Sequence, residues 1–250
     1  MGSAMLSGWR DVGLAPSYAV DPDAPLREGI SLVRHPEEIS PDFAPAAVIL
    51  AVKPQNAAAV LPAYAAYAES AVFLSIMAGR TLRGMRAVLG AHAAIVRAMP
   101  NTPAAIRQGV TVATAGPGVS PDQQNLCDRL LSAIGTVAWV ADEALLDPVT
   151  AISGGGPAYV FLLAELLETA GIAHGLPPDL ARLLARQTVA GSGALLAASA
   201  EESAALRRAV TSPRGTTEQA LAVLMAEPAW PALIAKAIEN ATCRSRELAD

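Results

Sequence analysis

The residues able to do chemistry fall into a few short clusters of small and polar side chains. One is Val210-Thr211-Ser212-Pro213-Arg214-Gly215-Thr216-Thr217, followed by Glu218-Gln219-Ala220-Leu221. Proline, glycine and threonine ahead of an apolar-periodic run mark a helix start. The first N–H groups of a helix have no partner inside it, and the helix dipole there favours an anion. Gly215 permits close approach, and Thr216 and Thr217 add hydroxyls. Taken alone, the cluster is a helix cap before it is a seat for a carboxylate. Ser153-Gly154-Gly155-Gly156-Pro157 opens a second helix. Three glycines forfeit backbone entropy, which implies close approach or exposed N–H groups. Asp147, just upstream, either orients that turn or caps a helix.

Three more clusters each follow an apolar run: Val52-Lys53-Pro54, Met77-Ala78-Gly79 and Met99-Pro100-Asn101-Thr102-Pro103. In open α/β sheets, ligands sit beyond the carboxyl ends of the strands. Small residues and prolines let a flat ring and its ribose approach the backbone, and Asn101 and Thr102 supply hydrogen bonds. Any one cluster is ordinary turn chemistry; three of one kind point to a shared ligand edge. There is no Ser-His-Asp or Cys-His constellation. His35, His92 and His174 read as surface or turn residues, and Cys127 and Cys243 as reduced thiols without metal spacing.

The elements that must position these clusters change character along the chain. Up to about residue 140, strands are expected at 17–20, 30–33, 46–52, 71–76, 93–98, 110–114 and 136–140. Helices are expected at 56–68 (broken near Pro62), 81–89 and 121–133. Continuous apolar runs such as 46–52 suit parallel strands buried on both faces. Strand–helix alternation indicates an α/β domain with a largely parallel sheet. Beyond it only helices are expected: from Pro157 to about 171, then 178–198, 201–210, 216–226 and 229–248. Pro157 suits a first helical turn.

Residues 1–6 read as the first turns of a helix, with Gly2 at the third glycine of a G-x-G-x-x-G turn. The first strand and the first two glycines are then expected upstream, with Met1 an internal methionine of a longer natural chain. Gly2 alone is equally a helix-start glycine. Val20-Asp21-Pro22 places an acid about 20 residues after that turn, where it accepts hydrogen bonds from both adenosine ribose hydroxyls and repels a 2′-phosphate. Asp21 therefore favours NAD over NADP, unless it is a solvated turn residue. The fold class is α/β: a Rossmann-like, largely parallel sheet with its first strand missing over residues 1–142, followed by an all-helical domain over 143–250.

Composition bounds the partners. The chain has 250 residues, 52% hydrophobic, 4% aromatic and 16% charged, with net charge −5. The apolar excess is Ala, Leu and Val, which suits closely packed helices and apolar faces buried between subunits. The charge balance and the lack of a basic run argue against nucleic acid. Individual apolar runs such as 46–52 and 158–163 are shorter than a bilayer span, and no secretory signal is recognisable. A cytoplasmic protein without a membrane partner is expected.

From residue 1 to about 248 these segments resemble the pyrroline-5-carboxylate reductase family. The resemblance rests on Val52-Lys53-Pro54, on Met99-Pro100-Asn101-Thr102-Pro103, on Asp147-Pro148-Val149-Thr150-Ala151-Ile152 with Ser153-Gly154-Gly155-Gly156-Pro157-Ala158-Tyr159, and on the 210–221 segment, which matches the family signature. It implies NADPH- or NADH-dependent reduction of 1-pyrroline-5-carboxylate to L-proline, the last step of proline biosynthesis. It implies that Gly2, Asp21, Val52, Lys53, Pro54, Ala78, Met99, Pro100 and Asn101 hold the cofactor. Ser212 and the amides of Gly215, Thr216 and Thr217 would hold the substrate carboxylate, with Thr217 the catalytic residue beside the imine nitrogen. It also implies a homodimer through the helical domain, often built up to a decamer. Arg214 stands where the family usually has glycine or lysine, and Gly155 where it commonly has serine. Two other readings stay open: another imine or β-hydroxyacid-type reductase, or a cofactor-deficient dimerisation module.

Overall fold

The computed structural model describes residues 1–23 and 30–249. Residues 24–29 of the first expected domain, and residue 250 of the second, lie outside the described residues. The chain divides into two compact units, residues 1–154 with 242–250, and residues 155–241.

The first unit begins with helix α1 (Gly2–Asp11). Strands β1 (Tyr18–Val20) and β2 (Ser31–Val33) pair in parallel as a small sheet of their own. A five-stranded sheet follows in chain order: β3 (Ala47–Leu50), β4 (Val72–Ser75), β5 (Ala94–Met99), β6 (Gly109–Ala115) and β7 (Gly135–Trp139). Every neighbouring pair is parallel except β5 and β6. The largely parallel sheet expected from continuous apolar runs is therefore present.

Both faces of that sheet are covered, as such runs require. On one face, Met5 and Trp9 of α1 and Cys127 and Leu131 of α4 (given below) pack on Val72, Leu74, Ala94 and Val96. On the other, helix α2 (Ala57–Val60), the tighter 3-10 stretch Leu61–Tyr67 and helix α3 (Leu82–Leu89) pack on Phe73 and Ile95. Pro62 explains why the helix expected over 56–68 tightens there: its missing N–H removes an α-helical bond. Thr81 caps α3 by accepting from the Gly84 N–H at 3.0 Å. Helix α4 (Pro121–Ser132) opens with a capping box, in which Ser120 and Gln123 each accept from the other's backbone N–H.

One carboxylate oxygen ties three parts of this unit together. Glu143 Oε1 accepts from Arg97 Nη1 at 2.7 Å and from the Leu82 N–H at 2.8 Å. Arg97 lies on β5 and is only 6% exposed, so its charge needs this partner. The chain then runs through a 3-10 turn (Glu143–Leu145), helix α5 (Leu146–Val149) and a π-helical turn (Thr150–Gly154). The sequence reading begins its first helix of this domain only at Pro157 and gives no helical turn to 143–154. Pro148 falls in the first turn of α5, where a missing N–H is tolerated. The hydroxyls of Thr150 and Ser153 donate to the Leu146 and Val149 carbonyls one turn back, at 2.7 and 3.0 Å.

The second unit is helical: α6 (Gly156–Ala173), α7 (Pro178–Ala198), α8 (Ser203–Ala209), α9 (Thr216–Leu224) and most of α10 (Trp230–Glu247). These bounds match the expected helices to within a few residues. Helices α6 and α7 pack closely where Gly171 meets Ala181, with space for no more than a methyl group. Ala181 and Ala185 are the only buried residues of 155–241 among those described. Phe161 is 66% exposed, and Leu162, Leu166, Leu183, Leu195 and Leu196 are also exposed. Although the individual apolar runs are short, the helical run Glu143–Ala173 has 31 residues and a window of mean hydropathy 1.3. By length and composition alone that is enough to cross a membrane.

The end of α10 returns to the first unit, where Ser245 Oγ donates to Asp147 Oδ1 at 2.7 Å. In the same unit, α1 approaches the end of α4 so closely that a Cβ on Gly8 would lie 2.7 Å from the Ala133 carbonyl oxygen. Since that obstacle is backbone, Gly8→Ala is expected to destabilise the fold by about 1–3 kcal/mol. Denaturant unfolding of the variant against the parent checks it.

Candidate active site

In the first unit the register of the sheet places the strand-end clusters. Leu50 is level with Ser75, and Ser75 with Arg97. Counted two residues further along, Val52 and Met77, just past β3 and β4, come level with Met99, the last residue of β5. The segments Val52-Lys53-Pro54, Met77-Ala78-Gly79 and Met99-Pro100-Asn101 therefore share one edge, at the carboxyl ends of β3, β4 and β5. Arg80 Nε donates to the Pro54 carbonyl at 3.0 Å and ties two of these loops together. Gly79 has φ +74°, and the Leu248 carbonyl oxygen would lie 2.8 Å from any Cβ placed there. Pro100 and Asn101 are buried, while Lys53 and Ala78 are exposed. Asn101 Oδ1 accepts from the Val110 N–H at 3.0 Å, so half of its amide holds the loop in place.

Gly2 joins this edge, because a Cβ on it would come within 3.2 Å of Ala51 Cβ just past β3. The start of α1 thus lies close to the strand end, the approach that a third glycine of a phosphate-binding turn provides. Asp21 follows β1 in the small sheet. One of its carboxylate oxygens accepts from the Asp23 N–H at 3.0 Å, and Arg34 Nη1 donates to the Asp21 and Pro22 carbonyls at 3.1 and 2.9 Å.

In the second unit, Gly215 is the N-cap of α9, with Thr216 and Thr217 as its first two residues. Gly215 and Thr217 are half-buried, and Ser212 and Thr216 are exposed. The Gly215 N–H donates to the Ser212 carbonyl at 3.0 Å, so that amide closes a turn. The amides of Thr216 and Thr217 are first-turn donors, for which the helix offers no acceptor of its own. Arg214 adopts φ 60°, and its N–H donates to Glu218 Oε2 at 2.8 Å. The sequence signalled this turn but not that Ser212 would occupy the Gly215 amide.

Among the described residues, neither unit shows a side chain activated as a nucleophile. His35, His92 and His174 are exposed, and His35 and His174 cap short helical ends. No group of three or more His, Cys, Asp or Glu suits a metal ion among the described residues. Cys127 is fully buried, which pushes its thiol up to about 12.

Hydride transfer asks for no more than this: a held dinucleotide, a held acceptor, and no nucleophile from the protein. The fold is a unit with a largely parallel sheet and a helical unit, and the strand-end loops and a helix start carry the candidate site residues. Residues 143–248 match the family model described as pyrroline-5-carboxylate reductase dimerisation. The chain is 40% identical to pyrroline-5-carboxylate reductase of Pseudomonas aeruginosa, covering 100% of this chain and 94% of that protein. It is 41% identical to the Synechocystis enzyme of that name over 84% of this chain and 79% of that one. The solved structure of a pyrroline-5-carboxylate reductase from Coxiella burnetii superposes with TM-score 0.91 at 32% identity, covering 100% and 95% of the two chains. The Plasmodium falciparum pyrroline carboxylate reductase, solved with NADP bound, gives 0.84 at 27% identity over 100% and 96%. The chain belongs to the pyrroline-5-carboxylate reductase family. The dimerisation match assigns the exposed apolar helices to self-association.

The buried thiol gives a direct check on the first unit. Cys127 is expected to stay unlabelled by a thiol reagent until the chain unfolds, whereas exposed Cys243 is open to it. Unfolding lowers the Cys127 pKa from about 12 towards the free-thiol value near 8.5. The unfolded state therefore binds fewer protons above that value, and labelling of Cys127 should accelerate as pH rises through and beyond it. Mass spectrometry of labelled peptides reads both effects.

Proposed function

We propose that this chain reduces 1-pyrroline-5-carboxylate to L-proline, using NADPH or NADH, as a cytoplasmic enzyme. Residues 1–142 form its dinucleotide-binding domain and residues 143–250 its helical dimerisation and substrate-binding domain. The observation that carries the reading is the shared edge at β3, β4 and β5, with Gly2 at the start of α1 drawn against it. That edge fits a dinucleotide: small residues stand at the strand ends, and a ten-residue helix starts beside them.

The dinucleotide supplies the hydride. The first-turn amides of α1 favour its pyrophosphate, and Asp21 accepts from its adenosine ribose. Val52, Lys53, Pro54, Ala78, Met99, Pro100 and Asn101 frame the nicotinamide end and keep water from it. The amides of Thr216 and Thr217 hold the substrate carboxylate, Ser212 and Gly215 shape the turn beneath it, and Thr217 Oγ1 donates to the ring nitrogen. Positioning of this kind supplies most of the rate enhancement where no acid or base of unusual strength is present.

The apolar faces of α6 and α7 are covered by a second copy of the chain, and such dimers assemble further into a decamer. Neither nucleic acid nor a membrane is a partner. The net charge of −5 supports the first, and coverage of Glu143–Ala173 by another subunit supports the second.

Purified protein is expected to oxidise either dinucleotide only when pyrroline-5-carboxylate is present. Thr217→Ala should lose about 1–3 kcal/mol of transition-state stabilisation, as loss of a hydrogen bond to a charged group does. Steady-state kcat/KM measures this, and an unchanged value removes Thr217 from the mechanism. Phe161→Asp would bury a charge in the subunit contact and should lower the molar mass seen by analytical ultracentrifugation. A variant of parental mass would place the contact elsewhere.

A further inference from the structure

The π-helical turn Thr150–Gly154 lies in the same unit as the cofactor edge and is held there firmly. Leu146 and Ala151 are 1% and 2% exposed, and Asp147 is bonded to Ser245. π-turns recur at functional sites, where an extra residue in the turn re-aims the chain. Here the turn brings Gly154 to the last residue of β5. A Cβ on Gly154 would lie 2.8 Å from Met99 Cε, and the next obstacle is Thr150 Cγ2 at 3.7 Å. The clash is thus with one atom, the terminal methyl of Met99. Met99 leads directly into Pro100 and Asn101, whose side chain is pinned to β6. The loop is therefore fixed on its far side, and its near side is set by how deeply the Met99 side chain can lie.

We propose that Gly154 is a positioning residue for the reaction. By leaving out a Cβ it gives the Met99 methyl a place against the π-turn, and this sets where Met99 and Pro100 stand at the carboxyl end of β5. The inference rests on the reading that this loop frames the nicotinamide. It explains why a glycine is needed at 154 itself, apart from any role for Gly155 and Gly156. A Cβ at Gly156 would meet nothing within 4 Å. An alanine at 154 would force the Met99 thioether into another rotamer at the end of β5, and the proposal requires that this new position crowd the ligand edge.

The experiment compares the parent, Gly154→Ala and the double variant Met99→Leu/Gly154→Ala. Leucine ends one atom short of the methionine methyl and removes the clashing atom. NADPH affinity is read by fluorescence titration, kcat and KM by steady-state assay, and folding by thermal melts. Gly154→Ala is expected to weaken NADPH binding and raise its KM by about tenfold, the scale of a sub-ångström misplacement. The KM for the imine should move much less. The double variant should recover most of the loss. Parental affinity in Gly154→Ala overturns the proposal, and so does a defect that Met99→Leu leaves unrelieved. Should Gly154→Ala fail to fold, a folded, NADPH-binding double variant supports the contact, and an unfolded one overturns it. A parent that binds NADPH but reduces no pyrroline-5-carboxylate defeats the functional reading, while the affinities still judge this contact. A parent that binds neither NADPH nor NADH defeats both, and where NADH is the dinucleotide bound, the same comparison is read with NADH.

Discussion

The ligand edge depends on the backbone hydrogen bonding that keeps β3, β4 and β5 parallel and in register. Parallel pairing sends three strand ends out on the same side, and level pairing puts Val52, Met77 and Met99 in one row. A slip of one residue in β4 would exchange the faces that Phe73 and Leu74 present and misfit the packed layers on both sides. The register is thus enforced by burial far from the edge it serves. Further contacts hold the row once it is formed. Glu143 joins β5 to the start of α3, Arg80 joins the loop after β4 to the loop after β3, and Asn101 fastens the loop after β5 to β6. The loops of the candidate site are thus tied to their neighbours by hydrogen bonds beyond those of the sheet itself.

Much of this was legible in the sequence, for identifiable reasons. Strands buried on both faces leave unbroken apolar runs; β3 and β4 fall inside the runs seen, and β5 runs one residue past its own. Helices with strong punctuation were bounded well: Pro178 opens α7, and Ser120 and Pro121 open α4. The least legible stretch was 143–154, to which the apolar periodicity gave no helix. Its helical turns depend on tertiary contacts, including the buried Leu146 and the Ser245 bond, which no local pattern encodes. In the candidate site, residue types were readable but occupancies were not. Nothing in the sequence indicates that Ser212 takes the Gly215 amide, or that Asn101 spends its carbonyl oxygen on Val110. Asp21 was readable as an acid after a strand, but its Asx turn with Asp23 and its neighbour Arg34 emerge only in three dimensions.

The two units solve the burial problem in different ways. The sheet unit buries large side chains such as Phe73, Met5 and Leu131 within itself. The helical unit, residues 155–241, encloses two alanines and leaves most of its leucines exposed. Small residues at the α6–α7 contact bring those helices close but leave little room for a core between them. A helix apolar on most of its circumference requires cover from elsewhere, and self-association supplies it.

That sparse interior makes the shape of residues 155–241 a collective property of more than one molecule. Where folding and association are one event, the folded fraction follows mass action and rises with protein concentration. For such a unit, protein concentration is a structural variable, because each added copy is a potential cover for the apolar helix faces of another.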